Sequence, residues 1–186
     1  MAFPINFYCA TFVCAFATTL VTLPLWRKCC IRANLVDEPG ARKIHDRPMP
    51  LAGGYAVLSG MLIPLVVGTI LVKFGALKIP FSNLIVHGLE RRGLELAVIS
   101  AGAIGITFLG SLDDRHELKP LPKFSGQFLI AVIVAIACKR ITLFVPNAAF
   151  SYAITIVWIV TVMNAFNFMD NMNGLCAGLG AIAALL

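Results

Sequence analysis

LELAVISAGAIGITFLGSLDDRHELKPLPK, Leu94 to Lys123, joins a long apolar run to two adjacent aspartates, Asp113 and Asp114. The run from Leu94 to Leu112 approaches the ~20 residues that a helix needs to cross ~30 Å of hydrocarbon. Similar stretches flank it at about Ile5 to Leu25, Gly53 to Val72, Phe124 to about Val145 and Ala148 to Phe166, and another starts at Gly174. With 59% hydrophobic residues, 13% charged and a mean hydropathy of +0.89, the chain falls outside the soluble class, which carries about 25% charge. The expectation is an all-α fold, a polytopic transmembrane helical bundle with five to six spans, forming one transmembrane domain over residues 1–186.

The first apolar stretch lacks a positively charged start and a small-residue cleavage site before Trp26, so it reads as a retained span and not a leader. The six cysteines have neither zinc-ligand spacing nor the framework of a secreted domain, and read as small hydrophobes. The final AGLGAIAALL has no turn signal and no polar flank. It reads as the interior of a helix, so the sequence is expected to be the N-terminal part of something longer, with little or no activity by itself.

If five segments cross, the first, third and fifth run in the same direction and their C-terminal ends share one membrane face. Three polar segments then gather there: Trp26 to Ala52, Asp113 to Lys123, and Asn164 to Asn173. That face carries nine Lys and Arg against six on the other, which makes it cytoplasmic by the positive-inside rule and puts the N-terminus outside a plasma (inner) membrane. The parity depends on the fourth segment, where Lys139 and Arg140 follow only fifteen residues after Phe124. They are expected to snorkel to the interface.

Ionised carboxylates are costly at bilayer depth, and those present usually mark a substrate or ion pathway. A vicinal pair at a helix mouth repels itself unless a cation compensates. Mg²⁺, with Mn²⁺ as the alternative, takes one or two carboxylates plus substrate phosphates. The first loop holds Arg42, Lys43, His45 and Arg47 among Pro and Gly residues that argue for turns, and arginines can bind a diphosphate bidentately. The competing reading is a loop that sets topology or touches anionic lipid; Asp37 and Glu38, beside Pro39, read as a turn cap.

In the third segment Asn164, Asn167, Asp170 and Asn173 recur every three residues and share a helix side. An Asn there can simply bond between helices, but four such groups around one carboxylate look more like a ligand site. Gly174 and Gly178 read as a small-residue packing pair. Lys73 to Arg92, with His87, reads as a loop without chemistry, and no feature points to nucleic acid.

Three segments, DEPGARKIHDRPMPLAGG (Asp37 to Gly54), DDRHELKPLPK (Asp113 to Lys123) and NAFNFMDNMNGLCAG (Asn164 to Gly178), in this order, resemble the polyprenyl-phosphate N-acetylhexosamine-1-phosphate transferases. These multi-span enzymes move a sugar 1-phosphate from a UDP-sugar to undecaprenyl or dolichyl phosphate and release UMP. The form of the first motif is closer to the branch that initiates O-antigen, common-antigen and teichoic-acid linkage synthesis. The resemblance implies UDP-N-acetylglucosamine and a polyprenyl phosphate as partners within membrane lipid, and leaves room for a homodimer. It implies Asp113, Asp114 and Asp170 as catalytic and metal-binding residues. It also implies Arg42, Lys43, His45, Arg47, Lys123, Asn164, Asn167 and Asn173 as substrate contacts. The family motif NxxNxxDGxDG carries Gly where this chain has Asn171 and Asp where it has Asn173, so one acidic charge is lost. A further metal-binding Asp and a basic, His-containing loop would follow Leu186.

Two other classes compete: a transporter using Asp113, Asp114 and Asp170 as coupling groups near the midplane, and a noncatalytic membrane subunit. Depth discriminates the first, because these aspartates end apolar runs instead of interrupting them.

Overall fold

A computed structural model describes residues 5–37, 48–75, 82–116, 118–138, 141–142, 147–169 and 174–185. The order is α1 (Ile5–Arg32), β1 (Val36–Asp37), β2 (Met49–Pro50), α2 (Gly53–Lys73), α3 (Ser82–His116), α4 (Pro120–Ala137), α5 (Ala148–Met169) and α6 (Leu175–Leu185). Among the described residues five helices, α1 to α5, are long and apolar enough to cross a membrane, and α6 is a shorter apolar helix. They are apolar all round, as bilayer helices are. Phe12, Val57 and Phe108, for example, lie outermost, 64–70% exposed. The protein is a multi-pass, nearly all-α membrane bundle. Its chain divides into two compact units, Met1–Leu118 and Lys119–Leu186.

In the first unit, α1 satisfies its hydroxyls internally. Thr18, Thr19 and Thr22 each donate to the carbonyl four residues back, at 2.7–2.9 Å, so none presents an unpaired polar group to lipid. The helix ends at Asn34, whose φ of 55° is left-handed. Leu35 N–H then donates to Cys30 O at 2.8 Å and Asn34 N–H to Ile31 O at 3.2 Å, the double bond of a Schellman stop. The stop turns the chain directly into β1, which pairs antiparallel with β2, Val36 opposite Pro50 and Asp37 opposite Met49. Among the described residues this two-residue ladder is the one departure from an all-helical reading, and it flanks the stretch whose Pro and Gly residues point to turns.

The α1–α2 contact is the most extensive between helices, and it is built on small residues. Ala52 and Ala56 are about 1% exposed, and Gly60 lies one turn further along. Repeating small residues every fourth position allows backbones to approach closely. Near the C-terminal end of α1 the Trp26 ring stacks on Tyr55 at 4.8 Å, and Trp26 Nε1 donates to Ser59 Oγ at 2.8 Å.

The third apolar run turns out to be only part of a 35-residue helix. At 1.5 Å per residue it is about 52 Å long, well beyond the ~30 Å hydrocarbon core. The stretch containing His87, read as a loop, is therefore its first turns. Mixed charges there signal a helix that has left the bilayer, not a break in the helix.

In the second unit, α4 begins earlier than its apolar run. Lys119 is extended and Pro120 occupies the first helical position, where a missing N–H costs nothing. The helix also ends earlier than expected, at Ala137 instead of about Val145, with Cys138 extended (φ −104°, ψ 172°). The Lys139–Arg140 pair behind it lies outside the described residues. Against α4 packs α5, whose start is capped by Asn147: its Oδ1 accepts from Phe150 N–H at 3.2 Å. The interface is again small and polar, with Gln127, Ala131 and Ala135 facing in from α4 and Ser151 and Thr155 from α5, all buried. Gly174 (φ 78°) supplies the left-handed residue before α6. Among the described residues, neither Gly174 nor Gly178 has a neighbour within 4 Å of where a Cβ would sit, so the expected packing pair is not formed. Gly180, by contrast, faces Phe166, at 3.9 Å.

Candidate functional site

Asp113 and Asp114 occupy the last turn of α3, Asp113 half-buried and Asp114 exposed. This is the negative end of the helix dipole, where a carboxylate is disfavoured by about 0.3–1 kcal/mol. Arg115 and His116 follow in the same turn and offset part of that cost. Two acids at the wrong end of a helix suit a site that draws in further positive charge.

The aspartates open onto a cleft of about 500 Å³ lined by Val36, Asp37, Leu51, Asp113, Asp114 and Leu118. The Schellman stop and the β-ladder deliver Asp37 to this cleft. A hydrogen bond between the Tyr55 and Ser111 hydroxyls ties the start of α2 to the turn of α3 just before Asp113. Asp37 and Leu51, at the two ends of the first loop, and the acidic doublet thus meet at one end of the first unit. Asp37 reads from sequence as a turn cap. Its place in the cleft was legible only through the pairing of β1 with β2, which two residues per strand do not signal.

Arg42, Lys43, His45 and Arg47 belong to the loop between β1 and β2 and lie outside the described residues, as do Asp170 and Asn173. In the second unit, Lys123 is half-buried in the first turn of α4, and Asn167 is exposed near the end of α5. Asn164 is engaged between helices. Its Nδ2 donates to Gln127 Oε1 at 2.8 Å and to Val160 O at 2.9 Å. Both amide hydrogens are used there, leaving Oδ1 as the atom that a substrate could meet. Gln127 carries no motif and passes unnoticed in the sequence; a Gln in an apolar run is the signal that could have found it. Replacing Gln127 with Leu should cost about 1 kcal/mol, and a double-mutant cycle with Asn164→Leu should return a coupling within the range for membrane helices, about 0.6–1.7 kcal/mol. Unfolding in mixed micelles measures both, and additive losses would remove the bond from the account.

Asp37, Asp113 and Asp114 offer hard oxygen donors from adjacent backbone segments. Among the described residues no group of three or more His, Cys, Asp or Glu forms a metal cage. The Asp113–Asp114 pair alone fits the chemistry of Mg²⁺, which uses one or two carboxylates and completes its shell with phosphate oxygens and water. It does not suit a structural zinc site. The depth is also informative. The doublet terminates α3 and does not interrupt it, which favours an interfacial site over a midplane relay.

Residues 96–186 match the family described as Glycosyl transferase family 4. Over those residues the chain is similar to that family. Among the similar curated proteins, the "Decaprenyl-phosphate N-acetylglucosaminephosphotransferase" of Mycobacterium tuberculosis is 34% identical over 92% of this chain and 42% of its own length. The "Probable undecaprenyl-phosphate N-acetylglucosaminyl 1-phosphate transferase" of Bacillus subtilis is 28% identical over 92% of this chain and 44% of its own. The "Undecaprenyl-phosphate alpha-N-acetylglucosaminyl 1-phosphate transferase" of Salmonella typhi is 29% identical over 90% and 42%. The chain thus spans about two fifths of the length of these relatives. No solved structure matches it.

Proposed function

We propose that this chain is part of a family 4 glycosyl transferase and serves the transfer of N-acetylhexosamine 1-phosphate, with N-acetylglucosamine as the sugar, from a UDP-sugar to a polyprenyl phosphate at the cytoplasmic membrane face. The observation that carries this reading is the acidic cleft of Asp37, Asp113 and Asp114 at the end of α3, a helix with an apolar run long enough to cross a membrane. The printed names of the relatives support the substrates. In such a transfer an oxygen of the lipid phosphate forms a bond to the sugar-bearing phosphorus, the diphosphate P–O bond breaks, and UMP leaves with that electron pair. The product is a polyprenyl diphosphate sugar, an intermediate suited to starting a cell-envelope polysaccharide.

Phosphoryl transfer asks little covalent chemistry of a protein and much positioning and charge compensation. Asp113 and Asp114 would hold Mg²⁺, which when bound supplies the charge that neutralises the reacting phosphates. The half-buried Asp113 is fixed by the helix turn that Tyr55 and Ser111 brace, while the exposed Asp114 faces the aqueous side. Arg42, Lys43, His45 and Arg47 would bind the donor diphosphate. Lys123, Asn164, Asn167 and Asn173 would be further substrate contacts and Asp170 a further catalytic and metal-binding carboxylate, with Asn173 neutral where the motif has a second carboxylate.

The test uses a polypeptide of the relatives' length that carries this sequence, in detergent with undecaprenyl phosphate and UDP-N-acetylglucosamine. UMP should appear with Mg²⁺, cease on chelation with EDTA, and return when Mg²⁺ or Mn²⁺ is restored. Release that is indifferent to chelation would remove the metal from the reading, and absence of UMP under all conditions would remove the reaction.

A further inference from the structure

In the second unit Gln127 of α4 and Asn164 of α5 meet side chain to side chain. Val160 O is a carbonyl oxygen and can only accept, so the nitrogen of the Asn164 amide must be the atom turned toward it, at 2.9 Å. The other hydrogen of that nitrogen reaches Gln127 Oε1 at 2.8 Å. One backbone carbonyl thereby orients both amides, because Gln127 must then present its oxygen, not its nitrogen, to Asn164. Gln127 is 4% exposed, and its face of α4 continues into buried Ala131 and Ala135. A side chain packed in this way holds its rotamer. Among the described residues Asn164 Oδ1 accepts no hydrogen bond and Gln127 Nε2 donates none. Buried polar groups in folded proteins are nearly all paired, so this pair is oriented without being complete. What Asn164 Oδ1 lacks is a donor.

We infer that Gln127 is a positioning residue for the transfer, holding the Asn164 amide so that its Oδ1 meets a hydrogen-bond donor of the sugar nucleotide. The inference rests on the proposed transfer and adds which of the two substrates Asn164 meets and what aims it. The choice follows from the substrates' chemistry. An ionised polyprenyl phosphate brings hydrocarbon and phosphate oxygens that only accept, so it has nothing to give Oδ1. A UDP-N-acetylhexosamine brings hydroxyls, an acetamido N–H and the uracil N–H, all of them donors. An asparagine free to turn over would not discriminate, because its amide can present either an oxygen or an NH₂ group. Gln127 removes that freedom. With Nδ2 held at Oε1 and Val160 O, the atom left for substrate is the oxygen, and a site built to bond a donor rejects a group that cannot supply one. The placement agrees. Lys123 stands one turn before Gln127 on α4 and Asn167 about one turn after Asn164 on α5, so the pair lies one turn deeper than two of the proposed substrate contacts.

The KM of each substrate in UMP release, measured in detergent on a polypeptide of the relatives' length that carries this sequence, tests this. Gln127→Met keeps length and packing but offers no oxygen. It should raise the KM for UDP-N-acetylglucosamine about tenfold, the factor carried by one net hydrogen bond, and leave that for undecaprenyl phosphate within about twofold. Gln127→Leu should show the same split, so that misfolding of one variant leaves the other to decide. Asn164→Ala should give a similar rise. The double variant should again show about tenfold and not about a hundredfold, because a residue that acts through Asn164 has nothing to act on once the amide is gone. Gln127→Glu keeps an oxygen where Oε1 stands, in either protonation state, and should recover most of the loss. A merely structural residue would show neither the split between substrates nor the recovery. Equal rises in both KM values, additive effects in the double variant, or an unchanged KM for UDP-N-acetylglucosamine, with UMP release by the parent intact, would overturn the inference and leave the transferase reading in place. A change confined to the Mg²⁺ concentration required would make Oδ1 a metal ligand and overturn it likewise. Absence of UMP release by the parent would overturn the two together.

Discussion

Exchanging Asp114 for Asn is expected to lower UMP release by at least about 10²–10³-fold, the scale of losing one charge-stabilising group at a phosphoryl-transfer or oxyanion site. Folding should suffer far less than activity. The amide has nearly the same shape as the carboxylate, Asp114 is exposed, and removing a negative charge from the C-terminal turn of α3 relieves a dipole penalty of about 0.3–1 kcal/mol. The signature is thus a variant that stays folded and is nearly inactive. A structural residue would lose both properties together. Asp113→Asn should show the same split. Because Asp113 is half-buried, its melting temperature should shift more than that of Asp114→Asn. Activity within threefold of the parent in either variant would detach that carboxylate from the metal, whatever the stability.

The site was legible in the sequence where chemistry is expensive. Carboxylates at the end of an apolar run have few purposes, so Asp113 and Asp114 could be singled out from cost alone, and their position at a helix end followed from the length of the run. Span starts were also readable where a turn-former sits beside the first apolar residue, as at Gly53 and Ala148. What could not be read were features set by contacts between helices. The extra turns of α3 before Leu94 look polar because they stand outside the hydrocarbon, and polarity alone does not distinguish an exposed helix from a loop. The early end of α4 at Ala137 could not be read either, because a run of apolar residues does not show where its helix stops. The place of Asp37 depends on a ladder too short to show alternation. Asn164 presents the same letter whether it faces a substrate or Gln127; only the partner on α4 assigns its amide hydrogens.

The other large effect is expected far from the carboxylates, at Gly60. A Cβ built there would stand 2.9 Å from the backbone carbonyl of Ala15 and closer still to the Thr19 side chain. A backbone oxygen cannot rotate away as a side chain can, so α1 and α2 must separate to admit any larger residue. Gly60→Leu should therefore destabilise the protein by about 3 kcal/mol, the upper part of the usual cost of overpacking. Gly68→Leu, on the same helix, meets nothing within 4 Å and should cost little, since added apolar surface facing lipid carries no penalty. The two variants share composition, helix propensity and hydrophobicity, so the difference between their unfolding transitions in mixed micelles isolates the helix contact. Thr19→Ala should recover only part of the loss in Gly60→Leu, because it removes the nearer obstacle and leaves the carbonyl of Ala15. Equal melting of Gly60→Leu and Gly68→Leu would mean that α1 and α2 do not pack through this face. Separation of the helices should also reach the site. Tyr55 stands little more than one turn before Gly60 and bonds both to α1, through the Trp26 stack, and to Ser111 on α3. Displacing α2 pulls on the turn that aims Asp113, so UMP release in Gly60→Leu should fall even at temperatures where the variant remains folded.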